Sequence, residues 1–247
     1  MRRASSCLIA LALGWYAGVV AATEACKGTL YLTIDTGSMS QAELIATVLN
    51  KHQVKATFFL ANEKTVNGDT SLGDNWIPYW KARAAEGHAF GTHTYNHTYW
   101  KGDLPDGKAR LRSQFGAQAG QMQTWDQAEY CAELNRVKTW FEGATGTKLS
   151  PLWRAPGGHT SARLIEWGNA CGYRHVHWAQ AGFLGDELSS EQYPNALLLK
   201  RALATLKDGD IMMMHTVIWS RKDPFAPMLD PLLAGLKEKG FCFRTLG

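Results

Sequence analysis

Five side chains in four short segments have the types and settings for acid–base or metal chemistry: Asp35, His93, His97, Arg154 and His215. His93 and His97 stand four apart in Gly-Thr-His-Thr-Tyr-Asn-His. On a helical turn that spacing sets two imidazoles on one face, where their nitrogens can share a divalent ion. Surface histidines at this spacing are also common, so the pair alone is weak evidence. Asp35 closes the apolar run Leu-Thr-Ile-Asp, where a carboxylate is costly unless solvated, paired or ligating. It reads as a turn former before Gly37, a general base or a metal ligand. Arg154, in Trp-Arg-Ala-Pro-Gly-Gly, would want a carboxylate partner if buried, either in a structural ion pair or beside a catalytic group. His215 follows Asp-Ile-Met-Met-Met and reads as a satisfied core histidine or as a general acid with pKa near neutrality.

Such residues act together only if strands deliver them to one place. Strand-like runs rich in β-branched and aromatic residues lie at 29–34, 55–60, 88–91, 152–155, 174–178, 210–215 and 241–245. Helical patterns fall between them at 41–51 (behind Ser40 as cap), 76–86, 127–145, 161–171, 195–207 and 228–239. Several of these stop at a glycine, which accepts the left-handed conformation that ends a helix. About seven strands alternating with helices predict a single α/β domain with a mainly parallel sheet. The polar, Gly-rich segments 62–75 and 98–124 read as the long loops. In parallel α/β folds, catalytic residues gather at the C-terminal ends of strands. Asp35, His93, His97, Arg154 and His215 all fall at such ends.

Hydrophobic residues make up 45% of the chain and charged residues 19%, which suits one sizeable core and excludes a disordered or collagen-like protein. The formal net charge is +4, without a Lys/Arg cluster, so nothing electrostatic points to nucleic acid. Residues 1–22 read as a signal peptide: Arg2 and Arg3, an apolar stretch from Leu8 to Val20, then small Val20 and Ala22 before Thr23. The stretch is short for a bilayer span of about 20 apolar residues, although an uncleaved membrane anchor is the alternative. Residues 23–247 would then be a soluble, exported domain, periplasmic or extracellular. Cys26, Cys131, Cys171 and Cys242 remain, an even set consistent with two disulfides in an oxidising compartment. They allow three pairings. Cys26 precedes the first predicted strand and Cys242 lies in the last, so if those strands are neighbours the pairs are Cys26–Cys242 and Cys131–Cys171. No Cys-x-x-Cys occurs, which argues against a zinc–thiolate site. The chain has 10 tryptophans, whose faces suit both a core and sugar rings. Trp178 and Trp219 follow strands on the catalytic side and are expected to line a groove, with Tyr95 and Trp100 next.

In this order the motifs resemble those of the polysaccharide deacetylases, the NodB-homology domain of carbohydrate esterase family four, over nearly the whole chain from Lys27 to Thr245. The family's Thr-Phe-Asp-Asp-Gly appears as Thr33-Ile34-Asp35-Thr36-Gly37, His-Ser/Thr-x-x-His as His93 to His97, Arg-x-Pro-x-Gly as Arg154 to Gly158, and Leu-x-His as Met213 to His215. The Asp-x-x-Asp-Trp motif is poorly kept around Gly172–Trp178, with Asp186 further on. The resemblance implies a distorted (β/α) barrel that removes acetyl groups from an acetylated glycan by metal-assisted attack of water. It implies Asp35 as base, His215 as acid, Arg154 as the group that orients Asp35, and His93 and His97 as ligands of a divalent ion, zinc being the natural candidate. Tyr95, Pro156, Gly157, Trp178 and Trp219 would meet the sugar, and a backbone N–H near Gly157 would hold the oxyanion. The ligand carboxylate of the family is Thr36 here, and a neutral hydroxyl is no ordinary substitute. Three outcomes follow: two histidines and water hold the ion, Asp35 becomes the ligand, or metal or activity is lost. The alternatives to a deacetylase are a non-catalytic sugar-binding descendant and a metal-dependent amidase acting on a non-sugar amide.

Overall fold

The computed structural model describes residues 25–247; the expected signal peptide, residues 1–22, lies outside the described residues. Along the chain come β1 (Gly28–Asp35), α1 (Ala42–Lys51), β2 (Thr57–Leu60), α2 (Ile77–Ala85) and β3 (Ala89–Thr92). Next are β4 (Thr98–Asp103), β5 (Ala109–Ser113), β6 (Met122–Trp125), α3 (Gln127–Thr145), β7 (Leu152–Trp153) and α4 (Ala162–Ala170). The last are β8 (Arg174–His175), α5 (Asn195–Thr205), β9 (Ile211–His215), α6 (Leu229–Glu238) and β10 (Phe241–Phe243).

Seven strands form one parallel sheet in the order β10-β1-β2-β3-β7-β8, with β9 also paired to β1. The sheet curls into a half-barrel, the distorted-barrel α/β architecture that the sequence predicts. Residues 28–30 of β1 pair with β10 and residues 31–35 with β9. Strands covered on both faces need apolar side chains throughout. Phe58, Phe59 and Leu60 of β2 and Met212, Met213 and Met214 of β9 are accordingly buried. Between β8 and β9 the barrel is closed only by the Phe183–Met213 bridge and the Ala179 N–H donating to the Ile211 carbonyl at 3.1 Å. The strand expected at 174–178 is correspondingly cut to two residues.

Helices cover the sheet through an aromatic core. Trp80 of α2 packs edge-on to Phe58 at 5.7 Å, and Phe90 of β3 lies 4.4 Å from Phe141 of α3. α3 begins with a capping box in which Asp126 and Glu129 answer each other's backbone N–H. α1 has no such cap: it starts at Ala42, one residue later than expected, so the cap position falls on Gln41 rather than Ser40, and Ser40 instead meets Ser38.

The segment 98–124, expected as a loop, is instead the antiparallel sheet β4-β5-β6. β5 alternates buried Ala109, Leu111 and Ser113 with exposed Arg110 and Arg112. That period of two spans only five residues, and two of its buried members are small, so glycines on either side mask it. Both disulfides are Cys26–Cys242 and Cys131–Cys171, the first clipping the lead-in to β1 onto its neighbour β10. No helix among the described residues is long and apolar enough to cross a membrane.

Candidate active site

Asp35 ends β1 with 2% of its surface exposed. Its Oδ1 accepts a hydrogen bond from Arg154 Nη1 at 2.8 Å, and the same nitrogen donates to Thr33 Oγ1 at 2.8 Å. The guanidinium is fully buried over the Phe59 ring, 4.2 Å from its centroid, and Nε donates to the Val176 carbonyl. Burial alone would raise the Asp35 carboxyl; Arg154, with His93 and His215, outweighs it and holds the group below its ordinary value. Asp35 therefore stays an anion although it is buried, and it borders the cavity.

His93 Nε2 lies 3.6 Å from Asp35 Oδ2, while its Nδ1 is 3.0 Å from the Arg154 carbonyl. Burial pulls this imidazole down to about 3 in spite of Asp35. A neutral ring whose Nδ1–H donates to that carbonyl turns a lone pair toward the carboxylate. His97 stacks edge-on to His93 at 4.8 Å and to Tyr99 at 5.0 Å, and its Nδ1 is buried without a partner. The two histidines meet on an irregular turn rather than a helical one, with Thr94 at φ 61° and His97 at φ 50°. The Thr94 hydroxyl secures the turn by accepting the Thr98 N–H at 2.6 Å.

His215 ends β9 directly beside Asp35 in the ladder, as its Cα partner. Its Nδ1 faces both oxygens of Asp186 at 3.2 Å, and its Nε2 lies 3.9 Å from Glu187 Oε2. Burial opposes the charged ring, but Asp186, Asp35 and Glu187 together raise its pKa to about 9. An anionic carboxylate and a cationic imidazole thus share the floor of a cavity of about 500 Å³. Its walls include Tyr99, Gly157, Trp178, Glu187 and Trp219. Gly157 sits at φ 63°, where a Cβ would come within 3.1 Å of Tyr99 and 3.2 Å of His159, so glycine here keeps the wall open.

A sequence model described as polysaccharide deacetylase matches residues 22–176. The chain belongs to the polysaccharide deacetylase family. It is 26% identical over 221 residues to an uncharacterized 30.6 kDa protein of Geobacillus stearothermophilus, covering 89% of this chain and 70% of that one. It is 22% identical over 222 residues to a peptidoglycan-N-acetylglucosamine deacetylase of Bacillus cereus, covering 89% and 67%. Among solved structures, a family 4 carbohydrate esterase from Streptomyces lividans in complex with acetate superposes with TM-score 0.64 at 21% identity, over 90% of this chain and 95% of that one. A family 4 pseudoenzyme from Bacillus anthracis superposes with TM-score 0.64 at 20% identity, over 89% and 64%.

Polysaccharide deacetylases of this family are generally metal-dependent, which makes the donor set here a test. His93 has the orientation of a ligand, its far nitrogen fixed by a carbonyl. The third donor is missing. Thr36 Oγ1 is a neutral oxygen already accepting the Ala61 N–H at 2.9 Å. Among the described residues no three His, Cys, Asp or Glu side chains come together closely enough to hold one ion. The residues present do not fit the two-imidazole, one-carboxylate centre that the motifs imply.

Asp35, His93, His97, Arg154 and His215 therefore converge, and Gly157, Trp178 and Trp219 stand at the cavity. Tyr95 does not: its ring packs under the Arg136 guanidinium at 3.9 Å and lines a separate hollow against α3. Trp100 packs against the core, its indole donating to Asp103, and Pro156 is buried below the cavity wall. Sequence reasoning missed Glu63, Tyr99 and Glu187 in the wall, and took Asp186 for the remnant of a motif rather than the partner of His215.

Proposed function

We propose that this polysaccharide deacetylase removes acetyl groups from an acetylated glycan, with Asp35 as general base and His215 as general acid. The supporting observation is their placement as direct partners across the β1–β9 ladder, at the floor of one cavity. Asp35, ionised beside Arg154, takes a proton from a water molecule as its oxygen attacks the acetyl carbon. When the tetrahedral adduct collapses, the carbon–nitrogen bond breaks. The cationic His215 then delivers its Nε2 proton to the departing amine. Acetate leaves, and exchange with solvent deprotonates Asp35 and reprotonates His215. Trp178 and Trp219 offer aromatic faces to the sugar rings, where C–H surfaces stack and hydroxyls stay wet. The two disulfides favour an oxidising compartment, in keeping with export directed by residues 1–22 and a mature chain from residue 23.

A second reading has an observation of its own. Thr36 spends its hydroxyl on the backbone and leaves the histidines without a carboxylate partner for an ion, as expected of a descendant that binds glycan without cleaving it. One experiment separates the two. The purified protein is incubated with acetylated chitooligosaccharides, peptidoglycan and acetylxylan fragments, with Zn²⁺ or chelator, and acetate is measured. Release that disappears in Asp35→Asn supports hydrolysis. Binding without acetate from any substrate supports the non-catalytic reading.

A further inference from the structure

The cavity contains a carboxylate that the proposed reaction does not use. Glu63 is 6% exposed, and its Oε1 is sealed from solvent with no hydrogen-bond partner. It lines the cavity alongside Thr36, His97 and Tyr99. Its backbone is held on both sides: the Glu63 N–H donates to Ser71 Oγ at 2.9 Å, and the Glu63 carbonyl accepts the Ser71 N–H at 2.8 Å. Ser71 is itself anchored, donating to the Ala61 carbonyl at 2.6 Å. The loop thus fixes the Glu63 backbone beside the cavity, and the side chain is buried there although burying an unanswered carboxylate is costly.

The other charges in the cavity are matched. Arg154 answers Asp35 and His215 answers Asp186. Glu187 faces His215 Nε2 at 3.9 Å, so Glu63 is the acidic group of the cavity that no cationic side chain answers among the described residues. A neutral hydroxyl would not offset that charge. A metal would need further donors, and among the described residues no three acidic or imidazole side chains are placed to hold one ion. A single ammonium group matches both the charge and the donor demand.

We propose that Glu63 binds a protonated amine on the ligand, so that the cavity prefers a glycan already carrying a free amino sugar. This rests on the glycan reading of the site. The test is calorimetric titration, below neutral pH, of a glucosamine pentamer and an N-acetylglucosamine pentamer into the wild type and Glu63→Gln. The wild type should bind the amine form at least about tenfold more tightly, as a charge-assisted hydrogen bond to a buried carboxylate permits. Glu63→Gln should lose that preference while binding the acetylated pentamer as before, which also shows that the variant is folded. Equal wild-type affinities, or a preference unchanged in the variant, would overturn the proposal. So would tight binding of Zn²⁺ alone that Glu63→Gln abolishes. Amine preference without acetate release would defeat only the hydrolase reading, and acetate release without amine preference only this one.

Discussion

The Nδ1 of His215 lies 3.2 Å from each carboxylate oxygen of Asp186, and the backbone N–H of the same histidine donates to that carboxylate at 2.7 Å. One acidic side chain thereby fixes both the orientation and the charge of the ring that faces the cavity. Asp186 comes from the segment between β8 and α5, where the barrel is weakly closed.

The pair sets an alkaline limit. His215 has a folded-state pKa of about 9 against an ordinary 6.5, so its stabilising charge is fully present below about 6.5 and is lost as pH rises through about 9. Acetate release should fall, and the thermal midpoint decline, over that window. Asp186→Asn removes the main charge opposing burial and should move the falling limb of the pH–rate profile to lower pH. An unmoved limb would separate His215 from proton delivery.

Asp35 and Arg154 are buried as an ion pair, so the two substitutions of Asp35 should part company. Asp35→Asn retains an acceptor for the guanidinium and should cost about 10²–10⁴ in kcat, the usual contribution of a general base. Asp35→Ala strands a buried cation and should also destabilise the fold by about 3–5 kcal/mol. Denaturant unfolding of both variants, beside acetate assays, tests the distinction.

Thr36→Asp restores the carboxylate type that the family places beside the histidines. Zinc titration by calorimetry should then give at least about tenfold tighter binding than the wild type, consistent with a third protein ligand completing a closed site. His93→Ala in the Thr36→Asp background should remove the gain. No change in zinc affinity on Thr36→Asp would mean that the turn holding His97 sets the limit, rather than residue 36.

Trp219 is 56% exposed at the cavity edge. Trp219→Ala should weaken glycan binding by about 1 kcal/mol, the scale of one aromatic contact, and leave the unfolding midpoint unchanged. A stability loss without an affinity loss would assign it to packing.

The sequence disclosed what depends on short-range pattern. Apolar runs ending in Asp35 and His215 identified β1 and β9, and parallel pairing then brings their ends together without further instruction. The cysteine pairs followed once the first and last strands were taken as neighbours. Glu63 was illegible because nothing local separates it from a surface glutamate; its burial depends on a loop whose backbone is tied to Ser71, eight residues on. β5 was missed because five residues give too few alternations against glycine-rich flanks. Tyr95 was misplaced because the residue beside two site histidines was assumed to share their direction, whereas the left-handed Thr94 and His97 send it the other way.

The bond between Cys26 and Cys242 spans 216 positions of chain and makes a hoop of nearly the whole molecule. Asp35 sits on the strand that this clasp anchors at its far end, while its own stretch of that strand is laced to His215 by the β1–β9 ladder. Reduction would therefore free the start of β1 from β10 first, and the meeting of acid and base would rest on the β9 pairing alone.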